Sequence, residues 1–278
     1  MYEEYIKKKL KAVETFRETV FSEGADFLRE VLNDEWFCFL KNCISEGRGQ
    51  KGEKPLGGPY FPFRWLYEQK EWGFINPGIK KLEINIAKKD YLRKKIEAIK
   101  NQDWMVASAA AFELSALVKF IEDGVLIDID PKLIPERNFR ADALIKIDTR
   151  EILVELTTIT KELVRRNMDL SVEVFSIPVD RAVYQITSKI KAKAEQQLYL
   201  AKSPVILIIS LPQGIGATQL EAYWSIQENI DKYPQISSII VSDTYCFKYG
   251  SWYFNEKATF KLNEKEKSYV SSLLYLNG

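Results

Sequence analysis

The sequence predicts an α/β protein with a mixed central sheet flanked by helices, preceded by a helical N-terminal region. Three observations carry this prediction. Apolar residues recur at helical spacing near the N-terminus, an apolar hairpin lies mid-chain, and two continuous apolar runs follow it, at 204–210 and 236–244. Such runs are typical of strands covered on both faces, and the helical pattern between them implies a parallel crossover.

Two regions are expected along the 278 residues. Residues 1–100 form a helical region with a Gly-, Pro- and aromatic-rich loop, and residues 101–278 form the α/β domain. The 40 basic and 39 acidic residues give a net charge of +1, so no overall basic surface indicates a nucleic-acid partner. A local basic groove remains compatible with this balance.

The chain contains no histidine, which excludes Ser-His-Asp and Cys-His catalysis and His-ligated zinc within it. Its three cysteines have no metal-ligand spacing, and their odd number favours reduced thiols. The N-terminus is polar and no apolar run reaches the ~18 residues of a membrane span. A cytoplasmic protein without membrane association is expected.

Apolar stripes predict helices from residue 1 to about 46. The following loop, Gly47–Gly78, carries aromatic and basic residues that either stack on bases or pack over a hydrophobic edge. They are Arg64, Trp65, Tyr67 and Trp72. Leu82–Ile86 alternates like a short strand, and a basic helix follows from Asp90 to Lys100.

A stronger helix is predicted from Asp103, as N-cap, to about Ile121, before Gly124. Glu113 lies beside its wide apolar face. A carboxylate in that position needs a partner, which is either a salt bridge at the edge of the face or a metal ion.

Strands are predicted at Val125–Asp130 and in a hairpin with arms at Ala141–Ile147 and Ile152–Ile159. A turn centred on Thr149 and Arg150 sets Leu144 opposite Glu155 and Asp142 opposite Thr157. Asp142, Glu155 and Thr157 then share one sheet face. Two carboxylates on one face need a counter-charge, supplied by a divalent cation or by a salt-bridged cluster with Arg140 or Lys146.

The next predicted helix runs from about Asp180 to Ala201. Its apolar stripe includes Gln197, with Lys193 at the edge and Lys189 a turn earlier. Polar side chains at the core side of a helix suggest a functional role. Gly214-Ile215-Gly216 is interpreted as a turn, and an edge strand and a helix are expected after Cys246.

This order of elements and acids resembles the PD-(D/E)xK nuclease superfamily, which has the restriction-endonuclease-like fold, over residues 103–245. The resemblance implies that Glu113, Asp142 and Glu155 surround Mg²⁺ or Mn²⁺. Thr157 stands where the family has its lysine. Some relatives supply that lysine from the following helix, where Lys193 or Lys189 would take its place, and Gln197 resembles a glutamine found there in several branches.

The implied function is metal-dependent hydrolysis of phosphodiester bonds in nucleic acid, with DNA the first expectation and RNA the second. The alternative is a catalytically inactive protein of this fold that acts as a nucleic-acid- or protein-binding module, for which Thr157 speaks. Residues 1–100 leave the partner open among nucleic acid, another protein and a second copy in a homodimer.

Overall fold

A computed structural model of the chain describes residues 2–45, 75–86, 88–100, 104–133, 139–159, 179–211, 226–242 and 250–274. Contacts divide the chain into two compact units, Met1–Glu122 and Asp123–Gly278. Several predicted features lie outside the described residues. They are the stacking candidates Arg64, Trp65, Tyr67 and Trp72, the N-cap Asp103 and the turn at Gly214. Within the described ranges, no helix combines the length and apolar character needed to cross a bilayer.

The first unit is helical in its described parts, as predicted for residues 1–46. Buried aromatic rings join the first and third helices: Phe16 contacts Phe37 and Trp36 edge-on, at 5.6 and 6.4 Å between centroids. The helices are α1 Tyr2–Glu23, α2 Asp26–Val31, α3 Asp34–Ser45, α4 Ile75–Asn85, α5 Lys89–Ile99 and α6 Trp104–Glu122.

The strand expected at Leu82–Ile86 is wrong, because these residues lie in and at the end of α4. Within five residues the apolar positions alternate, which imitates a strand. Ile79, Leu82 and Ile86 are buried at helical spacing, however, and Ile84 is 73% exposed. Glu83 adds a tertiary anchor, since its carboxylate accepts hydrogen bonds from the N–H groups of residues 26 and 27 at the start of α2.

The second unit contains a mixed six-stranded sheet, as the sequence predicts at the level of the α/β class. The strands lie in chain order across the sheet: β1 Leu126–Ile129, β2 Ala143–Ile147, β3 Arg150–Thr158, β4 Val205–Ser210, β5 Ser238–Ser242 and β6 Gly250–Phe254. The β3/β4 and β4/β5 pairs are parallel and the other pairs antiparallel. The predicted parallel crossover is therefore confirmed.

Helix α7, Val179–Gln196, covers one face of this sheet. Its stripe of Ile186, Ile190 and Ala194 packs in one apolar cluster with Leu153 of β3 and Leu207 of β4. A short 3-10 helix, Leu198–Leu200, follows α7, so the regular helix ends before the predicted Ala201. The expected C-terminal edge strand and helix are β6 and α8, Glu264–Ser272, whose N-terminus has a capping box.

The hairpin between β2 and β3 turns one residue earlier than predicted. Leu144 pairs with Leu153 and Ile147 with Arg150, so the two-residue turn is Asp148 and Thr149. Asp148 has φ of +58°, a left-handed conformation that aspartate tolerates and two-residue hairpins need. Leu144 is thus not opposite Glu155, and the same register shows that the predicted pairing of Asp142 with Thr157 is wrong as well. The turn remains even-numbered, and the alternation of faces along β3 is as predicted.

Candidate functional site

Glu155 lies in the middle of β3 and is 1% exposed. Side chains alternate along a strand, so Glu155 shares the face of Leu153, the face that α7 covers. A buried carboxylate is costly unless it is paired and hydrogen-bonded. The partners therefore have to come from α7.

Two polar side chains at the C-terminal end of α7 provide these contacts. The Lys193 ammonium pairs with Oε1 of Glu155 and donates a 3.1 Å hydrogen bond to Oε1 of Gln197. The Gln197 amide donates to Oε2 of Glu155 at 3.3 Å and to the backbone carbonyl of Arg140. The structure therefore brings together Glu155, Lys193 and Gln197, called here the Glu155 cluster.

Lys189 lies one turn before Lys193 on α7. Partial burial lowers its pKa, and the positive charge of Lys193 lowers it further. Within the part of the chain that the structure describes, no carboxylate pairs with Lys189. The Lys189 and Lys193 ammonium groups are thus close enough for their like charges to interact.

Asp142 lies immediately before the first residue of β2. At this end of the hairpin, β3 is longer than β2 and continues past it. Its N–H donates to the carbonyl of Val154 at 3.1 Å, and its carboxylate accepts a 2.7 Å hydrogen bond from the N–H of Leu156. The side chain thereby satisfies a strand N–H that β2 does not reach. Asp142 is fixed beside the residue that follows Glu155.

Thr157 is two residues beyond Glu155 on the same face of β3 and is 8% exposed. It pairs in parallel register with Ile209 of β4. A hydroxyl rather than an ammonium therefore occupies this position. The cation beside Glu155 comes from α7.

Glu113 belongs to the first unit, where it lies on α6. Its carboxylate pairs with Lys95 of α5 and accepts a 3.2 Å hydrogen bond from the Tyr91 hydroxyl. The Lys95 ammonium also lies 5.0 Å from the centroid of the Tyr91 ring. These three residues, called the Glu113 cluster, match the salt bridge that the sequence left open for Glu113.

Mg²⁺ is usually held by one or two carboxylates and keeps several waters. Among the described residues, no group of three or more acidic or cysteine side chains could hold a metal ion. Asp142 and Glu155 belong to the same unit, and a metal ion at this place would be held by these two carboxylates together with water.

Two further contacts of the site were not predicted from the sequence. The carbonyl of Arg140 accepts from Gln197, and a backbone acceptor has no sequence signature. The Arg140 guanidinium donates to the carboxylate of Asp130 at 2.7 Å and to its carbonyl at 3.0 Å, with Asp130 at φ +49°. The Asp130-Pro131 dipeptide marks a turn, but not which side chain it would meet.

Comparison of the chain with protein-family models, with curated proteins and with solved structures finds no match.

Proposed function

We propose that the protein is a metal-dependent nuclease that hydrolyses phosphodiester bonds of nucleic acid at Glu155. One observation carries the proposal. A glutamate buried in the middle of a sheet is met by a lysine and a glutamine from the next helix. Lys193 and Gln197 give this buried carboxylate an ion pair and a hydrogen bond in an apolar setting, and buried clusters of this kind are often functional.

The order of elements also supports the proposal. The resemblance to the PD-(D/E)xK superfamily implies a helix, three strands, a helix and a further strand. The chain has α6, then the antiparallel strands β1 to β3, then α7, then β4 parallel to β3. The acid of the hairpin and the lysine of the following helix occupy the expected elements.

Each residue then has a role. Asp142 and Glu155 would hold Mg²⁺ or Mn²⁺, which supplies a bound water of lowered pKa and stabilises charge on the phosphate. Lys193 stabilises negative charge that develops on the phosphate beside Glu155. Gln197 orients both, since its amide contacts Glu155, Lys193 and the Arg140 carbonyl.

Lys193 would replace the lysine that the superfamily carries at the position of Thr157, because the threonine hydroxyl has no positive charge. Both residues lie on the α7 side of the sheet, and Lys193 contacts Glu155 directly. Lys189 adds positive charge one turn away. Metal contact by Glu113 remains a prediction from the sequence on which this proposal does not depend; the described contacts of Glu113 are with Lys95 and Tyr91 of its own unit.

Cleavage of labelled DNA and RNA, single- and double-stranded, with Mg²⁺, with Mn²⁺ and with EDTA tests the proposal. The wild type should cleave with metal, and Glu155→Gln should lose activity by about 10²- to 10³-fold, as for removal of a group that stabilises charge. Glu151→Gln is the matched control, an exposed acid on the same strand. Absence of metal-dependent cleavage by the wild type on every substrate would refute the enzyme.

The second candidate is an inactive protein of this fold that binds nucleic acid or a partner protein. Thr157 favours it, because a hydroxyl at this position supplies no positive charge for the phosphate. The pair of Glu155 with Lys193 is compatible with both functions, since a purely structural ion pair would have the same geometry. Nucleic-acid binding by the wild type that is unaffected by metal, together with absence of cleavage, would establish this function.

A further inference from the structure

An aromatic pair lies next to the Glu155 cluster. The rings of Phe139 and Tyr199 meet edge to face, with centroids 6.4 Å apart and planes at 74°. Phe139 precedes Arg140, whose carbonyl accepts from Gln197, and Tyr199 follows Gln197 by two residues. The hydrogen bond that orients Gln197 therefore also joins the two segments that carry the rings.

The fold buries only part of the Tyr199 side chain. It is 49% exposed although it belongs to the short 3-10 helix after α7, while Phe139 is half-buried. An aromatic ring that is fixed on one side and open on the other is suited to stacking on a nucleobase. Tyr184 of α7 is 71% exposed, and within the described residues no second ring contacts it.

Two exposed lysines lie close to this pair along the chain. Lys132 forms a β-bridge with Arg140, next to Phe139, and Lys202 follows Tyr199 by three residues. Both lysines are exposed. With Lys193 at the carboxylate, positive charge lies on both segments that carry the rings, which suits a phosphate backbone.

We propose that Phe139 and Tyr199 form a stacking platform for a base of single-stranded nucleic acid, and that a phosphate next to that base lies at Lys193 and Glu155. This rests on the proposed function, since it takes that phosphate as the one hydrolysed. Bases inside a duplex are already stacked and reach such a platform only when extruded, at a cost of a few kcal/mol. The substrate class is therefore a single strand, or the single-stranded part of a larger nucleic acid.

Fluorescence anisotropy in EDTA, where metal-dependent cleavage is absent, measures the platform separately from catalysis. The probes are a labelled oligothymidylate of about 12 nucleotides, within the span of single-strand sites, and a duplex of equal length. The wild type should bind the single strand more tightly. Tyr199→Ala should weaken that binding about 5- to 150-fold, which is the stacking contribution of roughly 1–3 kcal/mol per base.

Tyr199→Phe keeps the ring and should bind as the wild type does, whereas Tyr199→Leu keeps apolar volume and should be weak. The leucine variant decides the matter if the alanine variant unfolds, and thermal unfolding monitored by circular dichroism checks each protein. Tyr184→Ala is the matched control and should bind normally. Equal single-strand affinity of wild type, Tyr199→Leu and Tyr199→Ala, or equal binding of duplex and single strand, would overturn the proposal.

The outcome separates this inference from the proposed function. Binding that depends on Tyr199 without any metal-dependent cleavage would refute the nuclease and leave the platform as a binding site. If cleavage depends on Glu155 and the Tyr199 substitutions leave single-strand binding unchanged, the stacking platform is refuted and the proposed nuclease function is not.

Discussion

The two units each contain a carboxylate, a lysine and a third polar side chain in contact. In the Glu113 cluster the side chains of Lys95 and Glu113 are 23% and 18% exposed, and the contacts join two neighbouring helices. In the Glu155 cluster the carboxylate is almost completely buried in the middle of a sheet, and its partners come from a helix that packs on that sheet.

The difference lies in what the carboxylate costs the fold. Glu113 keeps contact with water, and its ion pair needs no further explanation. Glu155 is desolvated where an apolar residue would pack well, and an ion pair so placed adds little stability over such a residue. This buried position motivates the proposed catalytic role of Glu155, together with a second acid, Asp142, whose carboxylate accepts from the N–H of the next residue, Leu156.

Removing charge without removing shape should produce the largest contrast. Asp142→Asn keeps an oxygen for the N–H of Leu156 but loses the charge that would hold a metal, so cleavage should fall about 10²-fold or more while the melting temperature changes little. Glu113→Gln should stay within about fivefold of wild type, the scale of a partly exposed pair. Steady-state cleavage rates check both, and an equal loss in the two variants would place Glu113 with the metal ligands.

The two lysines provide the next contrast. Lys193→Met should lower kcat about 10- to 10²-fold, because it removes a cation beside the phosphate, and should leave much of the substrate binding. Lys95→Met removes the corresponding cation of the Glu113 cluster and should leave kcat near that of wild type. If Lys193→Met cleaves as fast as the wild type, this lysine does not replace the one missing at Thr157.

Stability should separate the clusters by a smaller amount. A double-mutant cycle with Glu155→Gln and Lys193→Met should give a coupling of about 1–3 kcal/mol, as expected for contacting residues of which one is fully buried. The cycle with Glu113→Gln and Lys95→Met should give about 0.5 kcal/mol. Urea unfolding measures both, and the reverse order would contradict the distinction drawn between the clusters.

The smallest effect concerns pH. Because burial and Lys193 lower the pKa of Lys189, the folded protein binds fewer protons there than the unfolded chain between that lowered pKa and the ordinary 10.5. This group therefore makes stability rise with pH across that window. Lys189→Met should flatten the rise, and Lys193→Met should raise the pKa of Lys189 by removing the like charge.

Urea unfolding at several alkaline pH values measures the rise, and NMR titration of the lysine side chains measures the pKa. Lys191→Met, an exposed lysine on the same helix, is the control and should leave the rise unchanged. A Lys189 pKa that does not move in Lys193→Met would show that the two ammonium groups do not interact.

Much of the fold could be predicted because, over a long segment, the spacing of apolar residues distinguishes a helix from a strand. The stripe of α7 and the continuous apolar run of β4 were recognisable without structure. Short segments were less certain. Leu82–Ile86 has too few residues to separate a period of 2 from 3.6, and the hairpin turn depended on whether Asp148 or Thr149 would begin it.

Helix spacing placed Gln197 in the apolar stripe of α7 and Lys193 at its edge, and the resemblance to the nuclease superfamily implied that Lys193 or Lys189 acts beside Glu155. In the structure Lys193 and Gln197 contact Glu155. The partners of Glu113 were missed, although Tyr91 and Lys95 lie one turn apart on the basic helix α5. Sequence spacing shows which residues share a side of one helix. It does not show which neighbouring helix that side meets.

Whether Asp142 and Glu155 bind a divalent metal ion is measured by Mn²⁺ titration followed by electron paramagnetic resonance. The resonance signal of free Mn²⁺ should decrease when wild-type protein is added, because bound Mn²⁺ no longer contributes to it. This binding should be lost in Asp142→Asn and in Glu155→Gln, and kept in Glu151→Gln. Absence of Mn²⁺ binding by the wild type, or unchanged binding by Glu155→Gln, would contradict the account.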